Sequence, residues 1–331
     1  MFVDVAYAHL YDLCLQGMGV STPNPNVAAA IYSQSGDLIA DGFHNRKESP
    51  DHAEVVALKK AGSHARNSIM VVSLEPCAHF GTTPPCTQAI IEAGVFKVIF
   101  AVKDPNPVAA GGAQKLRDAG IEVEYHESKE LAFAQRAWLH KVKNDRPLMI
   151  WKVATTLDGK IAALDGTSQW ITGEASRADV QRHRAQSDAI LVGTNTAIVD
   201  NPHLIPRGYA ARPVRIICGE QEVPTINRIF DDEARTLLVK SKHLPDLVKV
   251  LREEKFNQVF IEAGPTFGSA LLASGLIDEI ILYQAPSILG AGRSFVENLG
   301  ISTLNERLEL SLLSLQEIDG DIKTHYKVGG H

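Results

Sequence analysis

The sequence predicts an α/β protein of two layered domains, and three observations carry that prediction. Short apolar runs alternate with helix-patterned segments from about residue 27 to residue 125. The same alternation resumes at residue 148. Between them lies a polar stretch, Lys141-Val142-Lys143-Asn144-Asp145-Arg146-Pro147. Strands alternating with helices build layered sheets, and 331 residues suffice for two separate cores.

Each element follows from its own pattern. Residues 5–15 carry Ala6, Leu10, Leu13 and Cys14 at helical spacing, predicting an amphipathic helix with Cys14 in the core. Runs at 27–32 and 38–43 flank Ser35-Gly36-Asp37, the mark of a hairpin. A helix is expected over 51–60, with Asp51 as N-cap and Gly62 near its end. Residues 69–74 read as a buried strand, 87–93 as a helix stopped by Gly94, and 97–102 as a strand; 113–119 and 121–125 repeat the pair. From 131 to 147 the periodicity fades, which sets the junction there and divides the chain into 1–146 and 147–331. Beyond it, strands are expected at 148–154, 189–192, 214–218, 236–239, 258–261 and 279–283, a helix at 269–273, and a closing strand pair within 301–331.

Composition excludes several classes. No apolar stretch is long enough to cross a bilayer, and Met1-Phe2-Val3-Asp4-Val5 lacks the basic start of a secretory signal. Four cysteines are too few for a disulfide scaffold, so a reducing cytoplasm is the expected compartment. A net charge of −6 without a basic run argues against nucleic acid as partner and for a small molecule.

The chemistry-bearing motif lies in the first half. His52, Cys77 and Cys86 are spaced to hold one zinc ion, and Glu54 stands two positions after the histidine. One imidazole and two thiolates leave the fourth tetrahedral position open, as catalytic zinc sites do. Such a site makes hydroxide available at neutral pH, and a neighbouring carboxylate carries the proton. His-x-Glu followed by Pro-Cys segments is the arrangement of zinc nucleobase deaminases. The plainer alternative is a structural zinc completed by His79, or two buried thiols and a core histidine.

The second half is less specific. Glu262-Ala263-Gly264-Pro265-Thr266-Phe267-Gly268 joins an apolar strand to an apolar helix, which suits either a phosphate at a helix start or a tight turn. Arg184 and Arg207 could bind phosphate or be solvated surface residues.

Taken whole, residues 5–285 resemble the bifunctional deaminase/reductase family of riboflavin biosynthesis. In the first half the likeness rests on Pro23-Asn24-Pro25-Asn26-Val27, Gly42-Phe43-His44, His52-Ala53-Glu54, the run from Glu75-Pro76-Cys77-Ala78-His79 to Pro85-Cys86, and Asp104-Pro105-Asn106-Pro107. In the second it rests on Lys152-Val153-Ala154, Leu157-Asp158-Gly159-Lys160, Ser168-Gln169-Trp170-Ile171-Thr172 and Glu262-Ala263-Gly264-Pro265. The eight residues between the cysteines set it apart from deaminases that space them by two.

The resemblance implies an N-terminal cytidine-deaminase-like three-layer domain with zinc, followed by a dihydrofolate-reductase-like α/β domain that uses NADPH. Residues 1–146 would deaminate 2,5-diamino-6-ribosylamino-4(3H)-pyrimidinone 5′-phosphate, with Glu54 catalytic and His52, Cys77 and Cys86 on the metal. Asn24, His44, His79, Asp104 and Asn106 would surround that substrate. Residues 147–331 would reduce the ribosyl unit to ribityl. There Ala154, Trp170, Thr196, Asp200, Gly264, Pro265, Thr266, Phe267, Gly268, Ser269 and Ala270 would contact NADPH; Lys152, Ser168, Arg184, Leu204, Arg207 and Glu262 would contact the substrate. By the same analogy the chain is expected to form a homodimer or tetramer. Thr82 stands where the family usually has a basic residue for the substrate phosphate, Ala28 and Ala113 replace common glycines, and the segment from His44 to His52 is one residue longer and lacks its usual glycine. The rival readings are a reductase with an impaired deaminase, a deaminase of another nucleotide or of nucleic acid, and a zinc-stapled binding protein.

Overall fold

The computed structural model describes residues 2–81, 83–106 and 111–329, so Thr82 and Pro107 lie outside the described residues. The chain divides into two compact units, Met1–Asp145 and Arg146–His331.

The first unit comprises α1 (Phe2–Gly17), β1 (Ala28–Tyr32), β2 (Leu38–Phe43), α2 (Ala53–Ala61), β3 (Ile69–Val72), α3 (Cys86–Ala93), β4 (Lys97–Phe100), α4 (Gly112–Asp118), β5 (Glu122–Tyr125), α5 (Lys129–Ala134) and α6 (Arg136–Asn144). Its five strands are ordered β2-β1-β3-β4-β5. β1 is antiparallel to both neighbours, and β3, β4 and β5 are parallel. β2, β3 and β4 therefore run in one direction, and their carboxyl ends share one end of the sheet. Right-handed β-α-β crossovers put α3 and α4 on the same face, and α2 packs beside α3. The core runs from Leu10 and Cys14 of α1 through Ile31, Met70 and Val98 to Leu116, all buried.

The second unit comprises β6 (Leu148–Thr156), β7 (Lys160–Ala162), α7 (Glu174–Ala185), β8 (Ala189–Gly193), α8 (Thr194–Val199), β9 (Val214–Cys218), β10 (Thr236–Val239), α9 (Leu244–Glu253), β11 (Gln258–Ile261), α10 (Pro265–Ala273), β12 (Glu279–Ala285), β13 (Arg293–Ser294), β14 (Leu310–Ile318) and β15 (Asp321–Val328). The main sheet is ordered β10-β9-β8-β11-β6-β12-β15-β14. The first six strands are parallel, and β15 and β14 complete the sheet antiparallel. Met149, Ile150 and Trp151 are all buried, as continuous apolar strands of a parallel sheet covered on both faces must be.

Three expectations need correcting. The stretch read as a fading junction holds α5 and α6; they are short, and a break at Gln135 leaves each with only two buried apolar side chains, Leu131 and Ala134 in one and Ala137 and Trp138 in the other. His52, not Asp51, is the N-cap of α2, and it makes no side-chain cap. The Asp51 carboxylate instead pairs with Lys59 at 2.5 Å. The third is α7, unseen because its sequence is mostly polar and its buried positions include Ser176 and Gln181.

One close approach fixes the loop that leads to Cys77. A Cβ at Gly112 would stand 1.7 Å from the Pro76 carbonyl oxygen, and next to it the Ala113 amide donates to Glu75 Oε1 at 3.1 Å. G112A must push the 75–77 segment away from α4. We expect it to cost about 1–3 kcal/mol or more and to weaken zinc retention. Urea denaturation and metal analysis check this; wild-type stability and zinc content would contradict it.

Candidate functional site

In the first unit the site stands at one end of the sheet. His44, His52 and Glu54 follow β2, Cys77 and Cys86 follow β3, and Asp104 and Asn106 follow β4. Asn24 and Asn26 precede β1, which runs the other way, so they arrive at the same end. A cavity of ≈ 200 Å³ there is lined by Asn24, His44, His52, Glu54, Cys77, His79, Asp104 and Asn106. All the residues expected at this site line the cavity except Cys86, which is buried and joins through its contacts with His52 and Cys77. Glu75, Thr83 and Trp138 also line it; the sequence offered no sign of Trp138, which lies in a helix its pattern did not reveal.

The donor set fits zinc. His52 Nδ1 lies 3.2 Å from Cys86 Sγ and 3.7 Å from Cys77 Sγ. Ligands about 2.0 and 2.3 Å from a tetrahedral ion stand about 3.5 Å apart, and the observed separations bracket that value. The three donor atoms all lie within 4.8 Å of one another. His79 lines the cavity but is outside this cluster, and its Nδ1 is buried without a hydrogen-bond partner. The cluster among the described residues is thus a three-donor set, not the closed four-donor staple.

Local electrostatics suit metal and acid/base work. Cys86 is the first residue of α3, and its amide donates to Cys77 Sγ at 3.3 Å. Hydrogen bonds from the Cys86 thiol, the His52 ring and that amide hold the Cys77 thiol well below its usual range. Glu54 is 3% exposed, and burial pushes its carboxyl up. His44 Nδ1 donates to the Asp51 carbonyl at 2.7 Å, leaving Nε2 to accept from Asn24 Nδ2 at 3.0 Å. Burial lowers its affinity for a proton, so it stays neutral and holds the segment leading to His52. Burial also raises Asp104.

In the second unit the candidate residues fall into four groups. Glu262, just past β11, takes Arg184 in a two-point ion pair at 2.5 and 2.9 Å and has Lys152 of β6 at 3.6 Å. Burial would raise the Glu262 carboxyl, but Arg184 and then Lys152 overcome it and hold it at about 2. Burial likewise raises Asp200, with Lys152 opposing.

Thr196, Gly264, Pro265, Thr266, Phe267 and Ala270 line a cavity of ≈ 560 Å³ at the carboxyl ends of β8, β9, β10 and β11. Thr194, Asn195, Glu220, Gln221, Ser241 and Lys242 also line it. Sequence reasoning missed these, although each directly follows a parallel strand, where α/β sheets bind ligands. Trp170, 67% exposed, and Arg207 line a separate cavity of ≈ 480 Å³ with Arg177 and Tyr209.

The remaining candidates stand apart from both cavities. Ser168 is exposed and Ala154 half-buried within β6. Leu204 is 2% exposed and packs in the core beside Val192, Ala197 and Ile229, so its side chain offers a ligand nothing. Gly268 and Ser269 face inward: a Cβ at Gly268 would stand 2.1 Å from Trp151 Cζ2, and Ser269 Oγ accepts from the Glu297 amide at 2.8 Å. A dinucleotide fits this arrangement: an elongated cavity runs along four strand ends to the start of α10, whose first amides suit a pyrophosphate.

The Glu262 group has a pH signature. Its carboxyl is lower in the folded chain than its ordinary 4.5, so the stabilisation is complete above about 4.5 and lost as pH falls toward 2. E262Q should cost about 3 kcal/mol at pH 7, and the gap to wild type should narrow by a similar amount through that window. Urea midpoints at several pH values measure the gap; a gap independent of pH would contradict it.

The comparisons with known proteins agree on both units. A family model for the RibD C-terminal domain matches residues 147–324, and one for the cytidine and deoxycytidylate deaminase zinc-binding region matches residues 7–102. The riboflavin biosynthesis protein RibD of Mycobacterium tuberculosis H37Rv is 39% identical over 327 residues, covering 97% of this chain and 96% of its own. That of Escherichia coli K12 is 34% identical, covering 96% and 97%. A solved Acinetobacter baumannii RibD has a TM-score of 0.86 at 35% identity, with 98% of each chain covered. A Thermotoga maritima diaminohydroxyphosphoribosylaminopyrimidine deaminase/5-amino-6-(5-phosphoribosylamino)uracil reductase has a TM-score of 0.90 at 30% identity, covering 99% of each. No helix among the described residues is long and apolar enough to cross a membrane. Likeness of this extent, running through both units in the same order, shows that the chain belongs to the RibD family, the bifunctional deaminase/reductases of riboflavin biosynthesis.

Proposed function

We propose that residues 1–146 deaminate 2,5-diamino-6-ribosylamino-4(3H)-pyrimidinone 5′-phosphate and that residues 147–331 then reduce its ribosyl unit, giving 5-amino-6-ribitylamino-uracil 5′-phosphate. The observation that carries the first step is the His52–Cys77–Cys86 cluster beside buried Glu54. Zinc held by these three donors supplies a nucleophilic water at neutral pH. Glu54 takes a proton from the attacking water and passes it to the ring nitrogen. It then takes the remaining hydroxyl proton of the tetrahedral carbon and passes it to the amine, so that the carbonyl forms as the carbon–nitrogen bond breaks and ammonia leaves. Burial, which raises its carboxyl, brings it closer to the range where one group can both accept and return a proton. Asn24, His44, His79, Asp104 and Asn106 surround the ring; the counterpart of the family's phosphate contact, Thr82, lies outside the described residues.

In the second unit NADPH, when bound, supplies hydride to the sugar carbon of the ring-opened imine. The chain binds and orients. Lys152 within β6, Arg184 in the last turn of α7 and Glu262 just past β11 present fixed charges, and Lys152 and Asp200 handle the proton that the nitrogen gains. Thr196 and the Gly264–Ala270 segment hold the cofactor; by family likeness Ala154 and Trp170 are also assigned to it, and Ser168, Arg207 and the backbone of Leu204 to the substrate. The proposed compartment is cytoplasmic.

We also propose a homodimer or tetramer. β14 is a nine-residue edge strand with Leu310, Leu312, Leu313 and Leu315 all exposed, and a bare apolar edge invites pairing with a second copy.

Two outcomes test these readings. E54Q should keep its zinc but lose ammonia release by about 10²-fold or more, while C86S should lose the metal itself. Ammonia release and NADPH oxidation, followed separately on the pyrimidinone phosphate, make the check; normal turnover by E54Q would refute the role. Replacing Leu312 and Leu315 together by Glu should yield monomers in analytical ultracentrifugation, and an unchanged assembly would exclude β14 as the contact.

A further inference from the structure

The end of the ≈ 560 Å³ cavity remote from α10 is built by the turns after β9 and β10, and each contributes one charge. α10 follows β11, whereas β9 and β10 lie beyond β8, two and three strands away, roughly 10–14 Å along the sheet. A dinucleotide whose pyrophosphate meets the start of α10 would extend its adenosine toward these turns. The turns are held in place: the Gly219 and Ser241 amides both donate to the Val239 carbonyl, at 3.0 and 2.8 Å. Ser241 Oγ donates to Asp246 Oδ2 at 2.6 Å, which ties that carboxylate to the backbone turn.

Lys242 Nζ stands 2.9 Å from the Glu220 carboxylate, and both side chains are largely exposed, 76% and 57%. Arg293, the other cation lining the cavity, sits beside α10 on Thr266 Oγ1 at 2.8 Å and pairs with Glu297. Lys242 is thus the cation at the adenosine end. NADPH differs from NADH only by a phosphate on the adenosine ribose. An acid after an early strand favours the free 2′-hydroxyl, and a cation accommodates the 2′-phosphate. Here one of each stands face to face.

We propose that Lys242 is the residue that selects NADPH over NADH: it leaves Glu220 to receive the 2′-phosphate, which Glu220 alone would repel. The assignment rests on the reading of this cavity as the cofactor site. An exposed ion pair costs little to break, and a charge-assisted bond to phosphate is the stronger contact.

Calorimetric titration of the whole enzyme with 2′,5′-ADP and with 5′-AMP isolates the effect from catalysis, and NADPH and NADH extend it. Wild type should favour 2′,5′-ADP. K242A should lose about ten- to hundredfold of that preference while binding 5′-AMP and NADH as before, which also reports that it is folded. K242R should keep most of the preference, and E220Q should bind 2′,5′-ADP more tightly. A wild type without preference, or a K242A that retains it or loses both probes equally, overturns the assignment. A wild type that binds neither NADPH nor NADH overturns the cofactor site itself, and the assignment with it.

Discussion

Both units depend on one constraint: strands running in the same direction must release their chains at the same end of a sheet. In the first unit β2, β3 and β4 do so, and the residues that follow them are those with chemistry to perform. In the second, β8, β9, β10 and β11 do so: their turns line the ≈ 560 Å³ cavity, and Glu262, just past β11, meets Lys152 from within β6. The polar backbone groups at strand and helix ends have no partners within their own element, so these ends are where ligands and charged side chains are best satisfied.

Charge is treated differently in the two sites. In the deaminase site burial raises the Glu54 carboxyl, easing uptake of a proton, and keeps His44 neutral. The reductase site locks its charges instead, with Glu262 held ionised by Arg184 and Lys152. A proton-shuttling reaction needs the first arrangement. Hydride transfer, in which the cofactor holds the reactive bond, needs fixed charge around an oriented ligand.

Much of the first unit was legible because its signals are local. His52-x-Glu54 sits at the start of one helix and Cys86 at the start of the next, so the spacing of the ligands reflects strand-to-helix turns. The elements around them carry apolar runs long enough to read. α5, α6 and α7 escaped notice because short or polar helices bury too few apolar side chains to repeat at a recognisable period. Expectations for the second unit were less complete. Gly268, Ser269 and Leu204 belong to motifs of the site yet turn into the core, a matter of which way a side chain faces.

The sequence by itself pointed to the α/β class through its alternating elements and to His52, Cys77, Cys86 and Glu54 as a candidate zinc site through their residue types and spacing, while the order of the two activities came from its resemblance to a family. Only the tertiary structure decided that three donors separated by 34 residues lie within reach of one ion, that His79 stands outside their cluster, and that Lys242 faces Glu220 across two strand ends. Those facts depend on strand order, and strand order is set by long-range packing that no local pattern records.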